Sequence, residues 1–118
     1  MVENISVKMA LRLVQEGKAV LYDLREEASY RKGHLPMAKH KDKDVIEKEL
    51  RASRDLQRRG IFIILYCDYG NLSMRVAKEL SEKGYQGIAS VVGGYHAYEG
   101  YVETKKNDLW TMEWKSRG

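Results

Sequence analysis

The sequence predicts an α/β domain built on a largely parallel sheet. Apolar runs of strand length alternate with stretches of helical periodicity, the pattern of strands covered by helices. One run, residues 61–66, is apolar at every position, as a central parallel strand buried on both faces must be. The only cysteine, Cys67, follows that run directly and opens a short polar loop ahead of a helical pattern.

In chain order, Asn4 or Ser6 can cap a first helix on which Val7, Ala10, Leu11 and Val14 fall on one face. Gly17 fits its end. Residues 19–22 read as a buried strand ending at Asp23, and residues 26–31 as a short helix closed by Gly33. His34-Leu35-Pro36 is an extended turn, because the residue before a proline avoids the helical region. Residues 38–41 suit a short edge strand. Residues 44–59 read as one charged helix touching the core through Val45, Ile46, Leu50 and Leu56, and stopping at Gly60. After the strand at 61–66 and the loop Asp68-Tyr69-Gly70-Asn71, a helix begins near Leu72 or Ser73. Leu72, Val76 and Leu80 are expected inside, with Ala77 beside them, and Arg75, Lys78, Glu79 and Glu82 outside. Gly84 caps it, residues 88–92 form the last strand, and Gly93-Gly94 follow. The domain is placed at residues 1–102. Residues 103–118 form a tail of different character, with Leu109, Trp110, Met112 and Trp114 among charged residues. Two readings stand for it: a helix or arm packed on the domain, or a contact for a protein partner or a homodimer.

Composition removes several classes of function. At 118 residues the chain suits one domain with a real core. No apolar run is long enough to span a bilayer, and the first residues lack the basic and apolar regions of a signal peptide. One cysteine allows no internal disulfide, so a cytoplasmic location is expected, with no membrane partner. The net charge of +4 comes from basic residues alternating with acidic ones, as in Lys41-Asp42-Lys43-Asp44, which is a solvated surface and not a nucleic-acid stripe. The three histidines and the cysteine show no metal-ligand spacing.

Cys67 stands where a strand passes into a helix through a turn. Backbone N–H groups of the turn and first helical turn have no intrahelical partner there, and the helix dipole adds partial positive charge. A thiolate, or an anion attached to it, is favoured at such a place. Asp23, Cys67 and Gly93 all fall at carboxyl ends of predicted strands, where ligands of open α/β sheets gather.

Three segments resemble the rhodanese-like (sulfurtransferase) domain in its small single-domain form. Leu21-Tyr22-Asp23-Leu24-Arg25, Tyr30 and Gly33-His34-Leu35-Pro36-Met37-Ala38 are similar to the family's Asp-x-Arg … Tyr … Gly-His-Ile-Pro-Gly-Ala signature. Tyr66-Cys67-Asp68-Tyr69-Gly70-Asn71-Leu72-Ser73 resembles its Tyr-Cys-x-x-Gly-x-Arg-Ser loop. Gly84-Tyr85 and Val91-Val92-Gly93-Gly94-Tyr95 complete the set, in register over roughly residues 5–102. The resemblance implies a three-layer sandwich with a central, mostly parallel five-stranded sheet flanked by helices. It also implies transfer of a sulfane sulfur through a persulfide on Cys67, with no cofactor or metal. The donor would be thiosulfate or another persulfide, and the acceptor a thiol, cyanide or a protein. Carried over, Cys67 is the nucleophile, and Asp68, Tyr69, Gly70, Asn71, Leu72 and Ser73 form the cradle, with Arg25 at the rim.

The departures from the pattern are specific. Leu72 stands where the family has a loop arginine, so a sulfonate-like dianion loses a fork of donors. Asp68 puts a carboxylate beside the thiol. Arg25, Lys32 and Arg75 are the cations left to reach the rim. Met37 replaces the glycine after Pro36, and Tyr98 an aromatic that is commonly Trp; both read as local packing changes. The Cys-x5-Arg loop of phosphatases of this fold is absent, since Ser73 occupies the sixth position after Cys67. Asp23 is expected to accept hydrogen bonds from loop amides, Arg25 to pair with a carboxylate, His34 to be structural, Tyr69 to line the pocket mouth or be simply exposed, and Ser73 to cap its helix. Two functions follow: a sulfurtransferase weak with thiosulfate, or a non-catalytic binding or regulatory module of the same fold.

Overall fold

The computed structural model describes the backbone of residues 3–117 and the side chains of residues 3–107. Five parallel strands form one sheet in the order β1-β5-β4-β2-β3. They are β1 (Glu3–Ile5), β2 (Ala19–Asp23), β3 (Lys39–His40), β4 (Phe62–Tyr66) and β5 (Ile88–Val91). The helices are α1 (Val7–Gln15), α2 (Glu27–Lys32), α3 (Lys43–Ala52), α4 (Asp55–Arg58), α5 (Asn71–Glu82) and α6 (Gly94–Arg117).

The central strand β4 divides the core in two. Ile64 and Tyr66 join Leu21, Ala89 and Val91 beneath α1 and the first turns of α6, where Val7, Ala10, Val14, Tyr95, Tyr98 and Tyr101 pack. Ile63 and Leu65 face the other way, against Ile46 and Leu50 of α3 and Val76, Ala77 and Leu80 of α5. This is the alternation that an all-apolar strand between two helical layers must show.

Several local expectations are corrected. β1 is an additional edge strand pairing Glu3, Asn4 and Ile5 with Ala89, Ser90 and Val91, and Ser6 alone caps α1 by accepting the Met9 amide at 3.1 Å. The charged stretch 44–59 is two helices, not one. Ser53 is extended, and its hydroxyl accepts the Asp55 amide at 3.2 Å, restarting the chain as α4. Val45 points to solvent. Met37 is more than a packing change: its φ is 66°, the left-handed region that a glycine occupies without strain. α6 runs through residue 102 without a break and turns its side chains to solvent from Glu103 to Asn107. Trp110 and Trp114 lie outside the residues whose side chains are described.

Candidate active site

The chain leaves β4 at Tyr66 and delivers Cys67 to the carboxyl edge of the sheet, between the ends of β2 and β5. The pairing of β2 with β4 is carried one residue past the strand by the Leu24 amide, which donates to the Tyr66 carbonyl at 2.9 Å. The chain then turns through Gly70, at φ 101°, into α5. A side chain at Gly70 would be strained there and would press on the backbone of Gly93 at 3.3 Å.

Cys67 is 5% exposed, and its sulfur is an acceptor. The amides of Gly70 and Ser73 donate to Sγ at 3.1 and 3.3 Å. Such donors favour a negatively charged sulfur over a neutral one. The Ser73 hydroxyl lies 3.5 Å from Sγ, donates to the Gly70 carbonyl at 3.2 Å, and is 2.7 Å from the Ser90 hydroxyl. Ser73 is therefore not the helix cap: Gly70 holds that position and Ser73 is fully buried beside the thiol. Leu72, expected inside, is 41% exposed instead, because the helix turns Ser73 to the core in its place.

The loop is clamped from the opposite side. The amides of Tyr95 and His96 donate to the carbonyls of Cys67 and Asp68 at 2.8 and 3.0 Å. This approach needs Gly94, since a Cβ there would sit 2.3 Å from the Cys67 carbonyl oxygen.

A pocket of about 190 Å³ opens at the sulfur, lined by Leu24, Arg25, Cys67, Asp68, Tyr69, Asn71 and Leu72. Of the three cations left to reach this rim, only Arg25 lines it. Lys32 is an exposed residue of α2, and Arg75 lines a neighbouring hollow of α5 with Met74, Lys78 and Glu79, which shares Asn71 with this pocket. Arg25 is itself buried and engaged. Its Nη2 donates to Asp23 Oδ2 at 2.8 Å and to the Gly33 carbonyl at 2.6 Å, and its guanidinium stacks 3.9 Å from the Tyr95 ring centroid. Burial opposes its charge, but the Asp23 carboxylate outweighs burial and holds its pKa above the ordinary value. Asp23, fully buried, also accepts the Arg25 amide at 2.8 Å and the Tyr66 hydroxyl at 2.5 Å. His34 Nδ1 donates to the Tyr30 carbonyl, 3.0 Å away, and its ring stacks on the Tyr30 ring. Tyr69 is exposed at the pocket mouth, 5.3 Å from the His96 ring.

Three residues of this site escape a reading of the sequence alone. Ser90 lies in a strand that is otherwise apolar, and its signal is a polar residue where burial demands a partner. Tyr66 and Tyr95 give no signal beyond their place in the motifs. Among the described residues, no three His, Cys, Asp or Glu side chains gather to hold a metal. No helix there is long and apolar enough to cross a membrane.

The model of the Rhodanese-like domain family matches residues 6–101. Solved structures with this fold include a Rhodopseudomonas palustris protein of unknown function, described as a possible tyrosine phosphatase. It has a TM-score of 0.69 and 22% identity, with 85% of this chain and 81% of that one covered. The human single-domain sulfurtransferase has a TM-score of 0.66 at 18% identity, covering 82% of this chain and 95% of that one. The reduced Bacillus anthracis protein CoADR-RHD has a TM-score of 0.67 at 26% identity, covering 82% of this chain but 16% of the longer one.

Proposed function

This chain belongs to the rhodanese-like domain family, and from that membership we propose that it is a sulfurtransferase carrying a sulfane sulfur on Cys67. The thiolate attacks the outer sulfur of a donor, and a new S–S bond forms as the donor's own bond to that sulfur breaks. The electron pair leaves with the donor remnant, as sulfite when the donor is thiosulfate. Cys67 is left as a persulfide anion. An acceptor thiolate, or cyanide, then attacks the outer sulfur, and Cys67 departs as a thiolate. No redox cofactor is needed. The partners on this reading are a small sulfur donor and a thiol or protein acceptor.

The observation that carries the reading is the convergence of the Gly70 and Ser73 amides on Sγ at the floor of an open pocket. The remaining N–H groups of the first turn of α5 have no helical partner, and they can receive a second anionic sulfur. A phosphatase reading has less support. The arginine that would grip two oxygens of a phosphate is absent from the loop, and Arg75 lines the neighbouring hollow of α5, not the pocket at the sulfur.

Thiosulfate is proposed to be a poor donor. The pocket wall is Leu24, Tyr69 and Leu72, its one carboxylate is Asp68, and its one cation, Arg25, already serves Asp23 and Gly33. The test is intact-mass spectrometry after incubation with thiosulfate or an organic persulfide, repeated on Cys67→Ser. One added sulfur atom on the original protein and none on the variant supports the proposal. No sulfur from any donor leaves the binding-module reading, which a partner complex surviving Cys67→Ala would establish.

A further inference from the structure

Ser90 is buried in the middle of the sheet at 1% exposure, and among the described residues its hydroxyl has one partner, the Ser73 hydroxyl at 2.7 Å. A buried hydroxyl proton without an acceptor is costly. If Ser73 donated to Ser90, the Ser90 proton would have nowhere to go. Ser90 therefore donates and Ser73 accepts. The single proton of Ser73 is left for the two other atoms within reach, the Gly70 carbonyl oxygen at 3.2 Å and Cys67 Sγ at 3.5 Å. While the thiol is neutral, it can donate to Ser73, whose proton rests on Gly70. Once the sulfur is an anion, the Ser73 hydroxyl turns to it, and the chain runs Ser90 to Ser73 to Sγ with every proton placed.

We propose that Ser90 is a positioning residue for Cys67: it orients the Ser73 hydroxyl as a third donor to the sulfur anion, beside the Gly70 and Ser73 amides. A hydroxyl that accepts one hydrogen bond is also a stronger donor in the next. The proposal rests on the reading of Cys67 as a sulfur nucleophile, yet it concerns the thiolate itself and not its sulfur load.

The test is therefore alkylation of Cys67 by iodoacetamide, followed across pH, in a double-mutant cycle of Ser73→Ala and Ser90→Ala. Ser90→Ala is expected to slow alkylation at neutral pH by about two- to tenfold, from the loss of one neutral hydrogen bond, and to displace the pH–rate profile to higher pH. In the Ser73→Ala background the same change is expected to have no further effect, because the link is already cut. Ser90→Thr, which keeps the donor, should alkylate like the original protein. An unchanged profile in Ser90→Ala, equal slowing in both backgrounds, or a Thr variant as slow as Ala would each overturn the proposal. If sulfur loading fails while this cycle behaves as stated, the sulfurtransferase reading falls and the role of Ser90 stands.

Discussion

The hydroxyl of Tyr66, the residue before Cys67, donates to Oδ2 of Asp23 at 2.5 Å across the β4–β2 pair. The Tyr66 hydroxyl oxygen in turn accepts the Leu35 amide at 3.2 Å. Tyr66 thus ties the end of the cysteine strand to the Asp23–Arg25 pair and to the turn that precedes β3. Removing the hydroxyl leaves a buried carboxylate short of a donor and a buried amide short of an acceptor. Tyr66→Phe is expected to cost about 1.5–3 kcal/mol, the range for a hydrogen bond to a charged group. Urea unfolding should show it as a lower midpoint with an unchanged slope. A loss below about 0.5 kcal/mol would contradict the network as described.

The same tyrosine sets a dependence on alkaline pH. Burial, reinforced by the Asp23 carboxylate, pushes its hydroxyl above the ordinary tyrosine value of 10.0. The folded state therefore holds this proton more tightly than the unfolded chain does. The resulting stability is complete below pH 10 and is lost as pH rises above it, at up to about 1.4 kcal/mol per pH unit. The Tm difference between the original protein and Tyr66→Phe is expected to be constant near neutrality and to shrink above pH 10. A difference that grows there would mean the sign is wrong.

Gly94 carries a second expectation. A methyl group there would enter the Cys67 carbonyl oxygen at 2.3 Å and the Asp68 carbonyl at 2.9 Å, on a backbone of φ 56°. The clash is with backbone, so no side chain can swing away. Gly94→Ala is expected to destabilise by about 2–4 kcal/mol through strain and overpacking. It should also change the rate of Cys67 alkylation, since the loop must shift. Full stability in denaturant would show that the loop is less tightly clamped than the Tyr95 and His96 amides imply.

At Met37 the expected change is a gain. Its side chain is exposed, so little packing is lost with it, while its φ of 66° is paid for by the backbone. A left-handed non-glycine residue costs about 1–2 kcal/mol, part of which glycine gives back through its freer unfolded chain. Met37→Gly is expected to raise stability by about 0.5–1 kcal/mol, read from the urea midpoint. A lower midpoint would show that Met37 makes contacts worth more than the strain.

What a sequence can disclose depends here on how local the cause is. The apolar run at β4, the glycine stop at Gly84 just past the Lys83 cap of α5 and the strand–turn–helix around Cys67 all follow from neighbours in the chain, and each is legible in the sequence. β1 is not: Glu3 and Asn4 are exposed, and only the edge of β5 makes them a strand. The rotation of α5 was hidden for a related reason. Leu72, Val76 and Leu80 repeat every four residues, yet a helix turns by 3.6, and the thiol and Ser90 hold Ser73 at the buried position. Arg25 shows the limit at the site. The sequence offers it as one of three cations for the rim, with Lys32 and Arg75, but its full set of partners depends on Gly33 and Tyr95, which only the folded chain brings to it.

The placement of Leu72 makes the donor preference testable in one substitution. Leu72 lies at the pocket wall, 41% exposed, on the second residue of α5, so its side chain has open space before it and its backbone is already helical. An arginine there can extend over the sulfur without displacing core, and helix propensity does not oppose it. Its guanidinium would supply the forked donors that a sulfonate group needs and that Arg25 lacks, since its Nε and Nη2 already serve Asp23 and Gly33. One charge-assisted contact is worth about 1.5–3 kcal/mol, so Leu72→Arg is expected to raise kcat/KM for thiosulfate by about ten- to a hundredfold. An organic persulfide, which has no sulfonate to grip, should gain far less. Steady-state sulfite release measures the first, and persulfide loading by mass the second. An equal gain for both donors would place the effect on the thiol rather than on the donor. No gain for thiosulfate would mean that the missing arginine is not what limits it, and would turn attention to the carboxylate of Asp68.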